Sequence, residues 1–160
     1  MLSDFPPLPA LDHEASAVQK PDLTFVVSAS FTAEPLLPGL RFWFKELGLQ
    51  AAAETAPYGQ VLQELLNPAS ALSSNKRGVS VVLLRVRDWL RELPSDRTQS
   101  IDDLRTYLEK TVHEFVRAMR THRGHASVET LLVLCPSYRY STPDEKALLA
   151  QTESELLENL

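Results

Sequence analysis

Three apolar runs set the rhythm of the chain: Leu23 to Ala29, Val79 to Val86 and Glu129 to Cys135. Each is nearly continuous rather than alternating, the pattern of a strand covered on both faces. A shorter alanine-rich stretch, Leu49 to Glu54, predicts a further strand. Between them the apolar period changes to that of helices. Leu36, Leu37, Leu40, Trp43, Phe44 and Leu47 share one helical face, with Arg41, Lys45 and Glu46 pointing away and Gly48 as the stop. Ser30 or Thr32 is the expected N-cap of that helix, with Glu34 and Pro35 in its first turn. Tyr58, Val61, Leu62, Leu65 and Leu66 predict a short helix closed by Asn67-Pro68. Residues 67–78 form a loop with a helical turn around Ala69 to Leu72. Beyond a polar connection at 94–100, Ile101, Leu104, Leu108, Val112, Phe115 and Met119 mark a long helix, with Gly124 past its end. Thr142-Pro143-Asp144-Glu145 has the form of a capping box with proline at the first helical position. It opens a last helix carrying Leu148, Leu149, Leu156 and Leu157.

Strand and helix alternate throughout, which implies right-handed crossovers and a parallel sheet between helical layers. The expected fold is an α/β, flavodoxin-like three-layer sandwich with strand order 2-1-3-4. Residues 1–20, with Pro6, Pro7 and Pro9, read as an N-terminal arm or linker, and 21–160 as the domain. The sequence closes inside a helix without the fifth strand usual in such folds, so the domain is expected to be truncated at its C-terminus.

Composition narrows the function without naming it. A net charge of −5 over 160 residues gives no reason to expect nucleic acid or an anionic membrane as partner. No apolar run approaches the ~20 residues of a membrane span. The N-terminal residues lack the basic region and apolar core of a signal peptide. One cysteine, Cys135, excludes an intrachain disulfide framework and fits a reducing compartment. The expected location is cytoplasmic. Five glycines, none suitably clustered, leave no phosphate-loop or dinucleotide fingerprint, and no cofactor is expected.

Candidate chemistry gathers where the strong strands end. Ser28, Ser30 and Thr32 follow the first, Arg85, Arg87 and Asp88 the second, and Ser137, Tyr138 and Arg139 the third. Parallel packing would bring these exits to one rim, where open α/β sheets bind ligands. Ser28 or Ser30 would be the nucleophile of an acyl-transfer site if a histidine and an acid joined it. Against that, Ser28 and Ser30 also read as small spacers and Thr32 as a cap, a frequent role for these residues. Arg85, Arg87 and Asp88 would bind an anion or pair with each other, and they also read as solvated loop charges. Trp89 reads as core. None of His13, His113, His122 and His125 lies where a flavodoxin-like hydrolase places its base, after the final strand. His122 and His125 flank Gly124 without a cysteine or carboxylate at ligand spacing, so no metal site is expected. Cys135 reads as a buried thiol.

Four blocks carry a family resemblance. They are Ser30-Phe31-Thr32-Ala33-Glu34-Pro35-Leu36, Leu40-Arg41-Phe42-Trp43, Ala56-Pro57-Tyr58-Gly59-Gln60-Val61 and the run from Val81 to Trp89. In that order, across residues 23–90, they resemble the N-terminal SGNH-like region of FkbH-like proteins found in hybrid polyketide and nonribosomal peptide synthetases. Asp144-Glu145-Lys146-Ala147-Leu148-Leu149 is similar too. In that family the loading chemistry belongs to a haloacid-dehalogenase domain further along, with an Asp-x-Asp nucleophile motif that this chain does not contain. The resemblance implies a noncatalytic accessory domain of secondary-metabolite (antibiotic) biosynthesis. Such a domain positions a carrier protein, with its phosphopantetheine arm, or adjacent synthetase domains, and Ser30, Thr32, Arg85 and Asp88 would line any cleft. The alternative is a serine-dependent acyl esterase or transferase of the SGNH type, completed by residues outside this sequence. A third reading is a docking or dimerisation element.

Overall fold

The computed structural model describes residues 21–93, 100–137, 140 and 142–160. The arm expected at 1–20, and Tyr138 and Arg139, lie outside the described residues. Four strands form one parallel sheet in the order β2-β1-β3-β4: β1 Leu23–Ala29, β2 Ala51–Thr55, β3 Gly78–Leu84 and β4 Thr130–Leu134. The expected topology is therefore the observed one. Helices α1 Leu36–Glu46, α2 Val61–Leu66, α3 Ala71–Ser74, α4 Ile101–Arg123 and α5 Pro143–Asn159 connect and cover it. The apolar run after β3 leaves the sheet at Leu84 and continues as a 3-10 segment, Val86–Glu92.

The two faces of the sheet are unequal. Val26, Val82 and Leu84 face the main core, where Leu65, Leu72, Leu108, Phe115, Leu149 and Leu156 are fully buried. The other face holds a small cluster of Val27, Ala29 and Ala33 with Leu40, Val81 and Leu83 packed on it. Burying a large apolar side chain is worth about 1.5–3 kcal/mol, so most of the stability lies on the α4 side.

Local signals set several boundaries. Gly48, at φ 66°, ends α1 in a Schellman motif: its N–H bonds Lys45 O at 3.1 Å and the Leu49 N–H bonds Phe44 O at 2.8 Å. Ser100 caps α4 in a capping box with Asp103. Thr142 Oγ1 accepts the Glu145 N–H at 3.1 Å, while the Glu145 carboxylate accepts Arg87 Nε at 2.9 Å.

Two expectations about α1 need correction. Neither Ser30 nor Thr32 caps it: the helix starts at Leu36 behind Pro35, with no side-chain cap, and backbone bonds from Leu36 N to Ala33 O and Leu37 N to Glu34 O make the turn. Ser30 is engaged elsewhere, as described below. The apolar stripe is also not all buried. Leu37, Leu40 and Phe44 pack on the sheet, but Leu36, Trp43 and Leu47 are exposed. Helical periodicity aligned those residues correctly, yet the sheet beneath covers only part of the arc.

Candidate functional site

The strand exits do converge, because the register aligns them. Ala29 pairs with Leu83, and Leu84 with Leu134, so the chain leaves β1, β3 and β4 at Ser30, Arg85 and Cys135 on one rim. Backbone bonds continue the ladder past the strands: Ser30 N–H donates to Leu83 O at 3.0 Å and Cys135 N–H to Leu84 O at 2.7 Å.

At the centre of the rim sits the Asp88 carboxylate, its side chain 7% exposed. The Ser30 hydroxyl donates to Asp88 Oδ2 at 2.8 Å and accepts the Arg85 backbone N–H at 3.0 Å. Arg85 Nη1 approaches Asp88 Oδ1 at 3.6 Å, and the Arg85 guanidinium lies over the Phe31 ring, 4.5 Å from its centre. Arg91 Nη2 donates to Asp88 Oδ1 at 2.6 Å, while its Nη1 donates to the Tyr58 hydroxyl at 2.7 Å. Hydrogen bonds to ionised groups are the strong ones. This network ties the β1 exit, the 3-10 segment and the β2–α2 loop into one unit.

The other expected residues part company. Ser28 is fully buried within β1, and its Oγ finds no hydrogen-bond partner among the described residues. Thr32 is exposed at the surface. Arg87 turns away to pair with Glu145 at the start of α5. Ser137 is buried, and its Oγ has no partner among the described residues. Trp89 is core, 5.7 Å from Phe115 between ring centres. Cys135 is half-buried; burial pushes its thiol up, with Arg85 drawing it back and Asp88 adding to the rise. It is therefore a thiol at neutral pH rather than a thiolate nucleophile.

Two participants were not picked out in the sequence as rim residues. Arg91 stands three residues after Asp88, and that i, i+3 spacing was the available signal. Tyr58 comes from a distant loop, so nothing local pointed to it.

A second polar cluster lies at the opposite end of β4. Ser73 Oγ is 3.2 Å from His122 Nδ1 and 3.1 Å from His125 Nε2, and His122 Nε2 is 3.0 Å from Thr130 Oγ1. The three contacts form one chain, His125–Ser73–His122–Thr130, which can run in either direction: each hydroxyl and each ring can donate to one neighbour and accept from the other. His122 is 1% exposed, and burial first, then His125, holds its pKa below the ordinary value. A cavity of about 680 Å³ opens beside it, lined by Arg120, Arg123, Glu129 and Leu132 among others. Among the described residues no group of three or more His, Cys, Asp or Glu is placed to hold a metal. No helix among them is long and apolar enough to cross a membrane.

No protein-family profile matches the sequence, and no curated protein sequence matches it. Among solved structures, the fold is similar to the N-terminal part of the protein BF1531 from Bacteroides fragilis, a crystal structure containing a phosphatase domain complexed with Mg. The TM-score is 0.58 at 14% identity over 88% of this chain. This chain spans 38% of that one. At such identity the likeness is one of fold.

Proposed function

We propose that the domain is a noncatalytic accessory module of a polyketide or nonribosomal peptide megasynthase, related to the N-terminal region of FkbH-like proteins. Its work is to position a carrier protein or a neighbouring domain. The observation that carries this reading is the state of the Ser30 hydroxyl. It donates to Asp88, whose carboxylate is held by Arg85 and Arg91, and accepts a backbone N–H, so it knits strand exits together, and among the described residues no histidine hydrogen-bonds it. His122 and His125 belong to the cluster beside Thr130, at the far end of β4 from the rim. What the rim offers outward is Arg91, whose side chain is 48% exposed, beside the exposed Tyr58. A cation with an aromatic hydroxyl suits the phosphate of a phosphopantetheine arm.

The test is titration of the domain with a phosphopantetheinylated carrier protein. Saturable binding is expected, weakened at least tenfold by Arg91→Ala combined with Tyr58→Phe in a variant of unchanged circular dichroism. Unchanged affinity and product titre would overturn the proposal. A fluorophosphonate probe tests the chemistry separately, and labelling of Ser28 or Ser30 would show an activated serine instead.

A further inference from the structure

Among the described residues, the sheet face that carries α1 is only half covered. Register places Val27, Val81 and Leu131 in one row, and Ala29, Leu83 and Val133 in the next, all on this face. Among the described helices, α1 alone packs here, with Leu40 against the Val27–Leu83 cluster and Phe44 4.7 Å from Phe25 between ring centres. Strands about 4.8 Å apart give a four-stranded sheet a full width of about 19 Å, counting half a spacing beyond each outer strand. A helix about 10 Å wide over β1 and β2 therefore leaves a strip one helix wide over β3 and β4. On that strip Leu131 is 55% and Val133 36% exposed.

Helix α1 borders the strip with an apolar flank. Leu36, Leu40, Trp43 and Leu47 are spaced four, three and four apart, the stripe of a helix–helix seam. Leu40 is its inner member; Leu36, Trp43 and Leu47 are 46%, 59% and 66% exposed. Arg41 and Lys45 line the opposite flank with Gln50 and Ala51, at the start of β2. The apolar flank thus overlooks β3 and β4. Phe42, 55% exposed, lies further out on the same helix, as does Gly39, where an added Cβ would meet nothing within 4 Å. Glycine inside a helix costs about 1 kcal/mol relative to alanine. Neither the chain's own packing nor a positive φ requires it here.

The geometry points to a twofold dimer in which α1 of each copy fills the uncovered strip over β3 and β4 of the other. The Trp43 flanks would meet in a central antiparallel seam, and Phe42 would reach the second copy's Leu131 and Val133. Gly39 would let the second copy's sheet approach closely, and Glu46, at the helix end, would stay wet.

A second copy is the occupant that fits, because one molecule carries both halves of the match: a protruding apolar flank on α1 and a strip on which Leu131 and Val133 are exposed. Such an arrangement is isologous and closes on itself. The area is also sufficient. Aromatic side chains bury 150–250 Å² each, and these six apolar residues together leave on the order of 400 Å² of apolar surface per copy. Homodimer interfaces are about 65% apolar, so twice that surface corresponds to roughly 1,200 Å² in total, the lower edge of a standard interface.

Sedimentation velocity of the full chain, from low micromolar upward, tests this. The weight-average mass should rise from one chain to two. Trp43→Glu and Leu131→Glu, on opposite halves of the contact, should each hold the mass at one chain where the wild type is dimeric. Gly39→Gln should weaken association at least tenfold with circular dichroism unchanged. In a Trp89→Phe background, leaving Trp43 as the one tryptophan, emission should shift to the blue as concentration rises. A single-chain mass throughout, a dimer that survives Trp43→Glu, or a Trp43 already shielded at every concentration would each overturn the proposal.

Discussion

The Ser30 hydroxyl lies between an acceptor and a donor that are 58 and 55 residues away in the chain. Its neighbour Ser28, two residues earlier, is buried, and its oxygen has no partner among the described residues. The Ser30–Asp88 pair and Ser28 should therefore respond oppositely to mutation. Asp88→Ala removes the acceptor of the part-buried Ser30 hydroxyl and of Arg91 and should cost about 2–3 kcal/mol in urea unfolding. Ser28→Ala removes an unsatisfied group and should be neutral, or stabilising by up to about 1 kcal/mol. Gly78 gives a third test. At φ 123° it opens β3 against Thr24, and a Cβ there would collide with the Thr24 backbone. Gly78→Ala should cost on the order of 3 kcal/mol, read as a lowered Tm. His122 gives a pH test. Its native pKa lies below that of the unfolded chain, so the unfolded state takes up a proton first on acidification. The stability it confers is complete above about pH 6.5 and is lost as pH falls further, by at most ~1.4 kcal/mol per pH unit. His125 faces the ring directly, and Arg120, Arg123 and Glu129 share the adjoining cavity. His122→Phe should flatten that slope in urea titrations between pH 7 and 5.

Among the elements, α4 was the easiest to read and α1 the hardest to finish. The stripe from Ile101 to Met119 predicted a long helix, and Ile101–Arg123 is one. Its start lies at Ser100, whose box with Asp103 is local chemistry. Ser100→Ala should lose about 1 kcal/mol, measurable by thermal unfolding, because α4 contributes Leu108, Val112 and Phe115 to the main core. For α1 the periodicity was equally clear, and Gly48 marked its end. Its start was misjudged, because a serine beside a predicted helix looks like a cap until a distant aspartate claims it. The stripe's burial was misjudged for a related reason. Periodicity reports which residues share a face, not how much sheet lies beneath them. The third strand was read two residues too long, since Arg85 and Val86 continue an apolar run after the ladder has ended.

For the whole molecule, the order of strands and helices was legible from alternation alone, since parallel strands need crossovers and crossovers have one hand. That reasoning also placed Ser30, Arg85 and Asp88 on one rim. It left unsaid which of the candidates would touch. Contact depends on side-chain direction at the rim, where Arg87 turns to α5 and Arg85 to Asp88 although they stand only two positions apart. The Ser73 bridge between two histidines 49 and 52 residues away had no signature at all in the linear order. The sequence by itself determined the elements, their order and the direction of the sheet, because these follow from short-range periodicity and chain connectivity. Only the tertiary structure decided that Ser30 is a strut held by Asp88, that two histidines share one hydroxyl, and that α1 keeps an apolar flank in water. Each of those depends on groups far apart in the chain meeting at ångström distances, which no local pattern records.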